Sequence, residues 1–368
     1  MNNIFKPTLD IIEQELNQIL PIIDETLQNN TDWLSKTFDS SSYALKMDYA
    51  MPLIKPTRSL VDLGGKRWRP LLLVLSAQAQ LNTQSLKSKE ILRALHLTPL
   101  VEFIHTASLL HDDIEDSSDT RRGKPAAYIT YGTDTTINAA SWLYFTAPLC
   151  IDTLEADIET KNKLYSLYNA EARKLHLGQA MDIAWHRDKD FFPQVQDYET
   201  MVMCKTGTLA SLAIKAGLIC ANASQDTINE AGKLASQIGA GFQIIDDVIN
   251  LTIGNPGKKR GDDIVEGKKS LPVLIFASKS TASCVQKLQQ CFLMARQEGI
   301  NSTAVEDAIS LLQSSDSIKC AKARGKQLIT ESCSKLKKLF AEDNVAADSI
   351  ELLFTSMIPK ELKEEAND

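Results

Sequence analysis

Between Ser108 and Lys124 the chain reads SLLHDDIEDSSDTRRGK, five acidic residues within eight positions followed at once by Arg121, Arg122 and Lys124. On a helix ending near Ser117, Asp112 and Asp116 are four residues apart and share a face, with Asp113 beside them. Holding carboxylates this close costs on the order of a few kcal/mol per pair at a surface-like dielectric. Solvent, the two arginines or a bound cation would relieve that cost. The donors are all oxygen, with no His or Cys pattern among them, which suits magnesium or manganese better than zinc. His111 lies about 100° away around the helix and reads as a packing residue or as a support behind the metal ligands.

A second acidic cluster, GFQIIDDVIN, begins its carboxylates at Asp246, 134 residues after Asp112. Asp246 and Asn250 are a turn apart, Asp247 is adjacent, and Gln243 falls one turn earlier on the same side. The apolar surroundings, IGAGFQII before and VINL after, are an unusual setting for a merely solvated acidic patch.

The basic residues are grouped as well. GGKRWRP places Lys66, Arg67 and Arg69 at a glycine turn leading into a helix, where backbone N–H groups favour anions. Lys205 stands beside Thr206 in CKTGT, and Lys258, Lys259, Arg260, Lys268 and Lys269 follow the second acidic cluster. Each group alone is also what a solvated surface shows. Cations beside magnesium-type carboxylates instead suggest phosphate oxygens, gripped by metal on one side and by Arg and Lys on the other.

The elements that must position these groups are helical. Apolar residues recur at helical spacing almost throughout, and alternating strand patterns are lacking. Ile11, Ile12, Leu16, Ile19, Leu20 and Ile23 outline an early amphipathic helix, broken near Pro21. Helices are predicted near 67–79, 90–116, 134–155, 161–185, 198–221 and 225–251, with several more after Ser270. DLGGK, RRGKP and IGNPGKKRGDD carry turn chemistry between them. No linker, low-complexity run or repeat divides the chain, so the expectation is one large all-α domain. Within it, residues 1–60 pack on a catalytic core at 61–276, and 277–368 add further helices.

Composition narrows the class. With 368 residues the chain can bury a large core, and 43% hydrophobic with 24% charged residues is ordinary for a globular protein. A net charge of −7 argues against general nucleic-acid binding. No apolar run approaches membrane-spanning length, and MNNIFKPTLD lacks the pattern of a secretory signal. Seven scattered cysteines, with no C-x-x-C pair, fit a reduced, cytoplasmic setting.

Taken together, DDIED with its downstream Arg121 and Arg122, GGKRWRP, CKTG, FQIIDDVIN and KKRGDDIVEGKKS resemble, in order, the motifs of the trans-isoprenyl diphosphate synthases (the polyprenyl synthetase family). The resemblance covers roughly residues 60–275, and one position departs from it: Asn250 replaces the usual final aspartate of the second motif. It implies a helical bundle of the isoprenoid synthase type with a central apolar cavity, a homodimer, and dependence on Mg2+. Carried across by motif, Asp112, Asp116 and Asp246 would be the main metal ligands, with Asp113, Asp247 and Asn250 in support. Arg121, Lys205 and Lys268 would hold an allylic diphosphate, with Thr206, Gln243 and Lys259 nearby. Lys66, Arg69, His105 and Arg122 would hold isopentenyl diphosphate, and Gly65 would let the backbone approach it. An amide oxygen is an acceptable magnesium-site partner, so activity is expected to survive the Asn250 change.

Product length follows from the residues before Asp112. Ser108 is one turn earlier with Ala107 next to it, and farnesyl-making relatives often carry bulky aromatics at this level. Small residues leave the shaft open, so the expected product is geranylgeranyl diphosphate or longer, with Trp142 or Phe145 as a deeper floor. ASLLHDDIED and HLGQAMDIAW look most like the geranylgeranyl-making branch. A longer-chain or farnesyl synthase remains an alternative, as does a regulatory subunit of a heteromeric synthase. A terpene cyclase would share the fold and first motif but has no use for GGKRWRP, because it binds no second diphosphate.

Overall fold

The computed structural model describes residues 2–39, 44–188, 190–254 and 260–358. Helices supply nearly all the regular structure, as the 3.6-residue periodicity predicts. Among the described residues the only strands are Thr120–Arg121 and Lys124–Pro125, a two-residue antiparallel pair. The all-α expectation holds.

Three of the long predicted helices are interrupted, each for a local reason. The 90–116 stretch is two helices, Lys89–His96 and Thr98–Glu115, divided just before Pro99, whose missing N–H suits only a first turn. Pro148 separates Thr133–Thr146 from the short Leu149–Asp152. The 198–221 stretch runs as Val195–Val202, a π-helical turn at Met203–Gly207, and Thr208–Cys220.

By their contacts the residues divide into two compact units. The first comprises Met1–Asn169, Leu212–Ile228 and Asp343–Ala347; the second comprises Ala170–Ser211, Asn229–Glu342 and Asp348–Asp368.

In the first unit the Thr98–Glu115 helix is enclosed. Leu100, Val101, Phe103, Ile104 and Ala107 have no exposed surface. Each large apolar side chain so buried contributes about 1.5–3 kcal/mol against the entropy of ordering the chain. The Trp68–Leu81 helix is apolar all round through Leu71–Leu75, the mark of a helix with neighbours on every side. Leu60, Leu110, Ala127 and Ala140 form a further cluster, so the helix that carries the first acidic motif is braced directly behind it.

The second unit is built on the lower part of the Gln225–Leu251 helix together with Leu271–Lys279, Ala282–Glu298, Thr303–Ser314 and Ser317–Lys337. A Cβ on Gly241 would stand 2.7 Å from Ile329 Cγ1 and 2.9 Å from the Gly325 carbonyl oxygen, so only glycine permits this helix crossing. One continuous stretch, Val195–Cys220, is long and apolar enough to cross a membrane by length and composition, but 72% of its apolar window is buried inside the protein. Burial accounts for its composition.

Candidate active site

The first acidic motif ends a helix, and the way it ends brings Arg121 back onto it. Asp116 caps Thr98–Glu115, and Ser117 turns left-handed at φ 54°. The Ser118 N–H then reaches the Asp113 carbonyl at 2.8 Å, closing a Schellman turn. The chain next doubles back through the two short strands, with Arg122 and Gly123 at φ 52° and 75°, a type I′ pair that normally favours Asn-Gly. Arg121 Nε donates to Asp113 Oδ1 at 2.7 Å, Nη2 donates to the same oxygen, and Nη2 lies 3.4 Å from Asp112 Oδ2. Asp113 is therefore buried under Arg121, whereas Asp112 and Asp116 are only half-buried. Oxygen donors at a helix end, already balanced by a guanidinium, fit a hard divalent ion. Among the described residues, no three His, Cys, Asp or Glu side chains converge as a finished metal cage. His111 is a packing residue: its ring stacks on Tyr144 at 5.7 Å between centroids.

The glycine turn before Trp68 forms a separate, cationic cluster in the same unit. Lys66 is exposed, while Arg69 lies 4.3 Å over the Trp68 ring and its Nη1 donates to His105 Nε2 at 3.2 Å. Arginine has no acceptor, so His105 Nε2 must be the unprotonated nitrogen of a neutral ring. Burial, reinforced by Arg69 and Arg122, holds the His105 pKa well below its ordinary value. Burial likewise pushes the Arg69 pKa down to about 10, with Arg122 adding to it and Glu102 opposing it. Arg69 Nε is buried without a hydrogen-bond partner. Arg122 Nη1 donates to the Gly64 carbonyl, and a Cβ on Gly65 would come within 3.2 Å of Arg122 Nη2. Arg67 faces inward, paired with Glu102 and Glu13. Three guanidinium groups thus meet two carboxylates around a neutral histidine, which leaves net positive charge, with Lys66 exposed on the same turn.

The second unit carries the other half of the predicted residues. On Gln225–Leu251, Asp246 is exposed, while Asp247 and Asn250 face inward. Tyr198 Oη donates to Asp247 Oδ2 at 2.6 Å, and Gln243 Nε2 donates to Asp247 Oδ1 at 3.0 Å. Gln243 Oε1 in turn accepts from Thr206 Oγ1 at 2.9 Å. Burial and the neighbouring Asp246 push the Asp247 pKa up to about 6, against the two hydrogen bonds and Lys268. Asn250 Oδ1 accepts from the Asp263 N–H at 3.3 Å, and its carbonyl accepts from Gly261 at 2.9 Å. Its amide thereby fixes the start of Asp262–Glu266. That helix closes with the Lys268 N–H on the Asp263 carbonyl at 2.9 Å, which aims Lys268 Nζ at Glu266, 2.5 Å away.

Lys205 and Thr206 stand on the π-helical turn, where one extra residue in the turn redirects both side chains. Lys205 Nζ lies 2.6 Å from Asp182 Oδ2 on the Ile158–Arg187 helix. The turn fits only because Gly178 presents no side chain: a Cβ there would stand 2.3 Å from the Lys205 nitrogen. The same helix buries Glu171, which accepts from Thr208 Oγ1 and Ser211 Oγ just after the turn.

The predicted residues thus form one cationic cluster (Arg69, His105, Arg122) beside exposed Lys66, one carboxylate–arginine cluster (Asp112, Asp113, Asp116, Arg121), and a hydrogen-bonded set in the second unit (Thr206, Gln243, Asp247). Lys259, with Lys258, lies outside the described residues. Of their neighbours, Arg260 turns to Glu306, and Lys269 is buried 4.5 Å over the Phe192 ring. Ser108 shares a half-buried face with His105 and Asp112, and its hydroxyl donates to the His105 carbonyl at 2.8 Å, whereas Ala107 is wholly buried. Trp142 stacks on Phe38 and meets Trp33 edge-on; Phe145 is 82% exposed and floors nothing within this chain. Asp182, Tyr198 and Glu102 were not anticipated. Asp182 stands within the quoted HLGQAMDIAW but next to no other charge, and the other two carry no local signal.

The family profile described as Polyprenyl synthetase matches residues 51–312. A short chain isoprenyl diphosphate synthase of Methanocaldococcus jannaschii is 30% identical over 300 residues, covering 81% of this chain and 82% of that protein. A geranylgeranyl pyrophosphate synthase of Penicillium canescens is 36% identical over 244 residues, 65% of this chain and 68% of its own. Among solved structures, a geranylgeranyl pyrophosphate synthetase from Pyrococcus horikoshii superposes with a TM-score of 0.79 at 25% identity, over 97% of both chains. A polyprenyl synthase from Caulobacter crescentus, solved with calcium and isoprenyl diphosphate, shares the fold at a TM-score of 0.72 and 21% identity, over 97% of this chain and 96% of its own.

Proposed function

The chain belongs to the polyprenyl synthetase family and is an isoprenyl diphosphate synthase; on that premise we propose that it condenses isopentenyl diphosphate with an allylic diphosphate to give all-trans geranylgeranyl diphosphate. The observation that carries this reading is the cationic turn at Gly64–Arg69 with neutral His105 and Arg122. It is a diphosphate holder additional to the acidic motifs, and an enzyme with one diphosphate substrate has no need of it.

In this reading Lys66, Arg69, His105 and Arg122 orient isopentenyl diphosphate by its head. A neutral His105 leaves the Arg69 charge intact for the diphosphate. Arg121, Lys205 and Lys268 hold the allylic diphosphate, with Thr206, Gln243 and Lys259 nearby. Mg2+, for which Mn2+ could substitute, held by Asp112, Asp116 and Asp246, would neutralise the diphosphate as it leaves. Asp113, Asp247 and Asn250 support from behind: Asp113 by fixing Arg121, Asp247 by tying Tyr198 to Gln243, Asn250 by fixing the Lys268 segment. The allylic C–O bond breaks, the double bond of isopentenyl diphosphate attacks the resulting cation, and a proton is lost. The departing diphosphate takes that proton. The small pair Ala107 and Ser108 leaves room for the growing chain, which supports a product longer than farnesyl. We further propose a cytoplasmic homodimer.

Purified protein incubated with magnesium, isopentenyl diphosphate and farnesyl diphosphate, followed by extraction and sizing of the product, tests the reading. A twenty-carbon diphosphate is expected. Elongation that occurs only after a second polypeptide is added would favour the regulatory-subunit alternative.

A further inference from the structure

Arg67 differs from its neighbours Lys66 and Arg69 in having every guanidinium nitrogen engaged inside the protein. Nε donates to Glu13 Oε1 at 2.7 Å, Nη1 donates to Glu102 Oε1 at 2.6 Å, and Nη2 donates to the Val61 carbonyl at 2.8 Å. These acceptors come from three elements: the Asn2–Ile19 helix, the Thr98–Glu115 helix, and the end of Met47–Val61. The side chain is thus a strut across the base of the glycine turn.

Its backbone makes the strut consequential. Arg67 caps the Trp68–Leu81 helix in the left-handed region, at φ 45° and ψ 32°, a conformation that a residue with a Cβ adopts only under constraint. Relaxing it to the right-handed region would rotate Lys66 relative to Arg69 and swing the Gly64–Gly65 backbone away from Arg122. The three hydrogen bonds supply the constraint. Glu102 is buried, so removing it would strand the guanidinium without a buried counter-charge. The Glu13 carboxylate is 45% exposed, so this arm can be released without such a penalty.

We infer that Glu13, acting through Arg67, positions the diphosphate-holding turn, so that the N-terminal helix is part of the support of the isopentenyl diphosphate site. This rests on the reading of the Lys66–Arg69–His105–Arg122 cluster given above. Glu13 lies outside the residues that match the family profile, and it touches no residue assigned to a substrate.

The sign of the effect separates positioning from simple electrostatics. Removing a negative charge near an anion site would, by Coulomb's law alone, tighten anion binding. Loss of positioning weakens it. Glu13→Ala is therefore expected to raise the KM for isopentenyl diphosphate about fivefold, which converts to about 1 kcal/mol, the net worth of one ordinary hydrogen bond. The KM for the allylic substrate should not change. Glu13→Gln, which keeps an acceptor oxygen, should fall between. Titration calorimetry of the same proteins with isopentenyl diphosphate should show the same weakening without turnover. An unchanged or lowered KM and Kd in Glu13→Ala would overturn the inference, as would an equal rise for both substrates. A wild-type protein that binds isopentenyl diphosphate but elongates nothing would instead overturn the functional reading, leaving the calorimetry to decide the role of Glu13.

Discussion

Tyr198 and Asp247, 49 residues apart in the chain, share a buried hydrogen bond of 2.6 Å. With Gln243 on the other oxygen, both faces of the Asp247 carboxylate are engaged while Asp246, one residue earlier, is exposed. Tyr198→Phe removes the donor and leaves a buried carboxylate oxygen short of a partner. The variant should lose about 1–3 kcal/mol of stability in urea denaturation. It should also lower kcat, because Asp247 anchors Gln243 and Thr206. A variant as stable and as active as the wild type would show that this bond does neither.

His105 gives a pH prediction. Burial holds its folded pKa well below the ordinary 6.5, so the folded protein resists taking the proton that the unfolded chain accepts. Its contribution to stability is complete above pH 6.5 and is lost as the pH falls below it. His105→Gln, which cannot be protonated, should make the fall in Tm between pH 7 and pH 5 shallower than in the wild type. Parallel curves for the two proteins would mean that His105 does not titrate as described.

Product length should respond to Ser108 before Ala107. Ser108 is half-buried on the face that carries His105 and Asp112, whereas Ala107 is packed without exposure. Ser108→Phe should shift the product toward farnesyl diphosphate. Ala107→Phe should shorten it too, at an overpacking cost of about 1–3 kcal/mol. Chain lengths identical to the wild type in both variants would remove these residues from any role in setting length.

Chelation should abolish elongation, and magnesium should restore it. Asp112→Asn keeps the shape but not the charge, and should lower kcat by about 100-fold or more. Asn250→Asp should have little effect, because its oxygen already serves the Asp263 N–H. A strong gain of activity in Asn250→Asp would mean that the residue acts at the metal after all.

The helical class and the two acidic motifs were legible because period and charge are local properties of a sequence. What was not legible depends on backbone turns. Arg67 and Arg69 are the same residue two positions apart, and only the left-handed cap at Arg67 makes one a buried strut and sets the other, half-buried, against Trp68 and His105. Asp112 and Asp113 are adjacent, and only the hairpin that returns Arg121 separates their roles. The π-helical turn beneath Lys205 depends on Gly178, some 27 residues earlier, whose importance lies in an atom it lacks.

The division into units also bears on synthesis at the ribosome. The first unit takes most of its residues from Met1–Asn169, but it is completed by Asp343–Ala347, close to the end of the chain. Asn344 Nδ2 donates to the Ala79 carbonyl at 2.7 Å, and Asn344 Oδ1 accepts from the Ala347 N–H at 3.0 Å. An N-terminal unit ordinarily folds while the rest of its chain is still being translated. In this protein the Ala79 carbonyl, which accepts the Asn82 N–H at 3.3 Å, gains its second partner from a residue made some 265 residues later. The nascent chain therefore lacks this contact of its first unit until Asn344 has emerged.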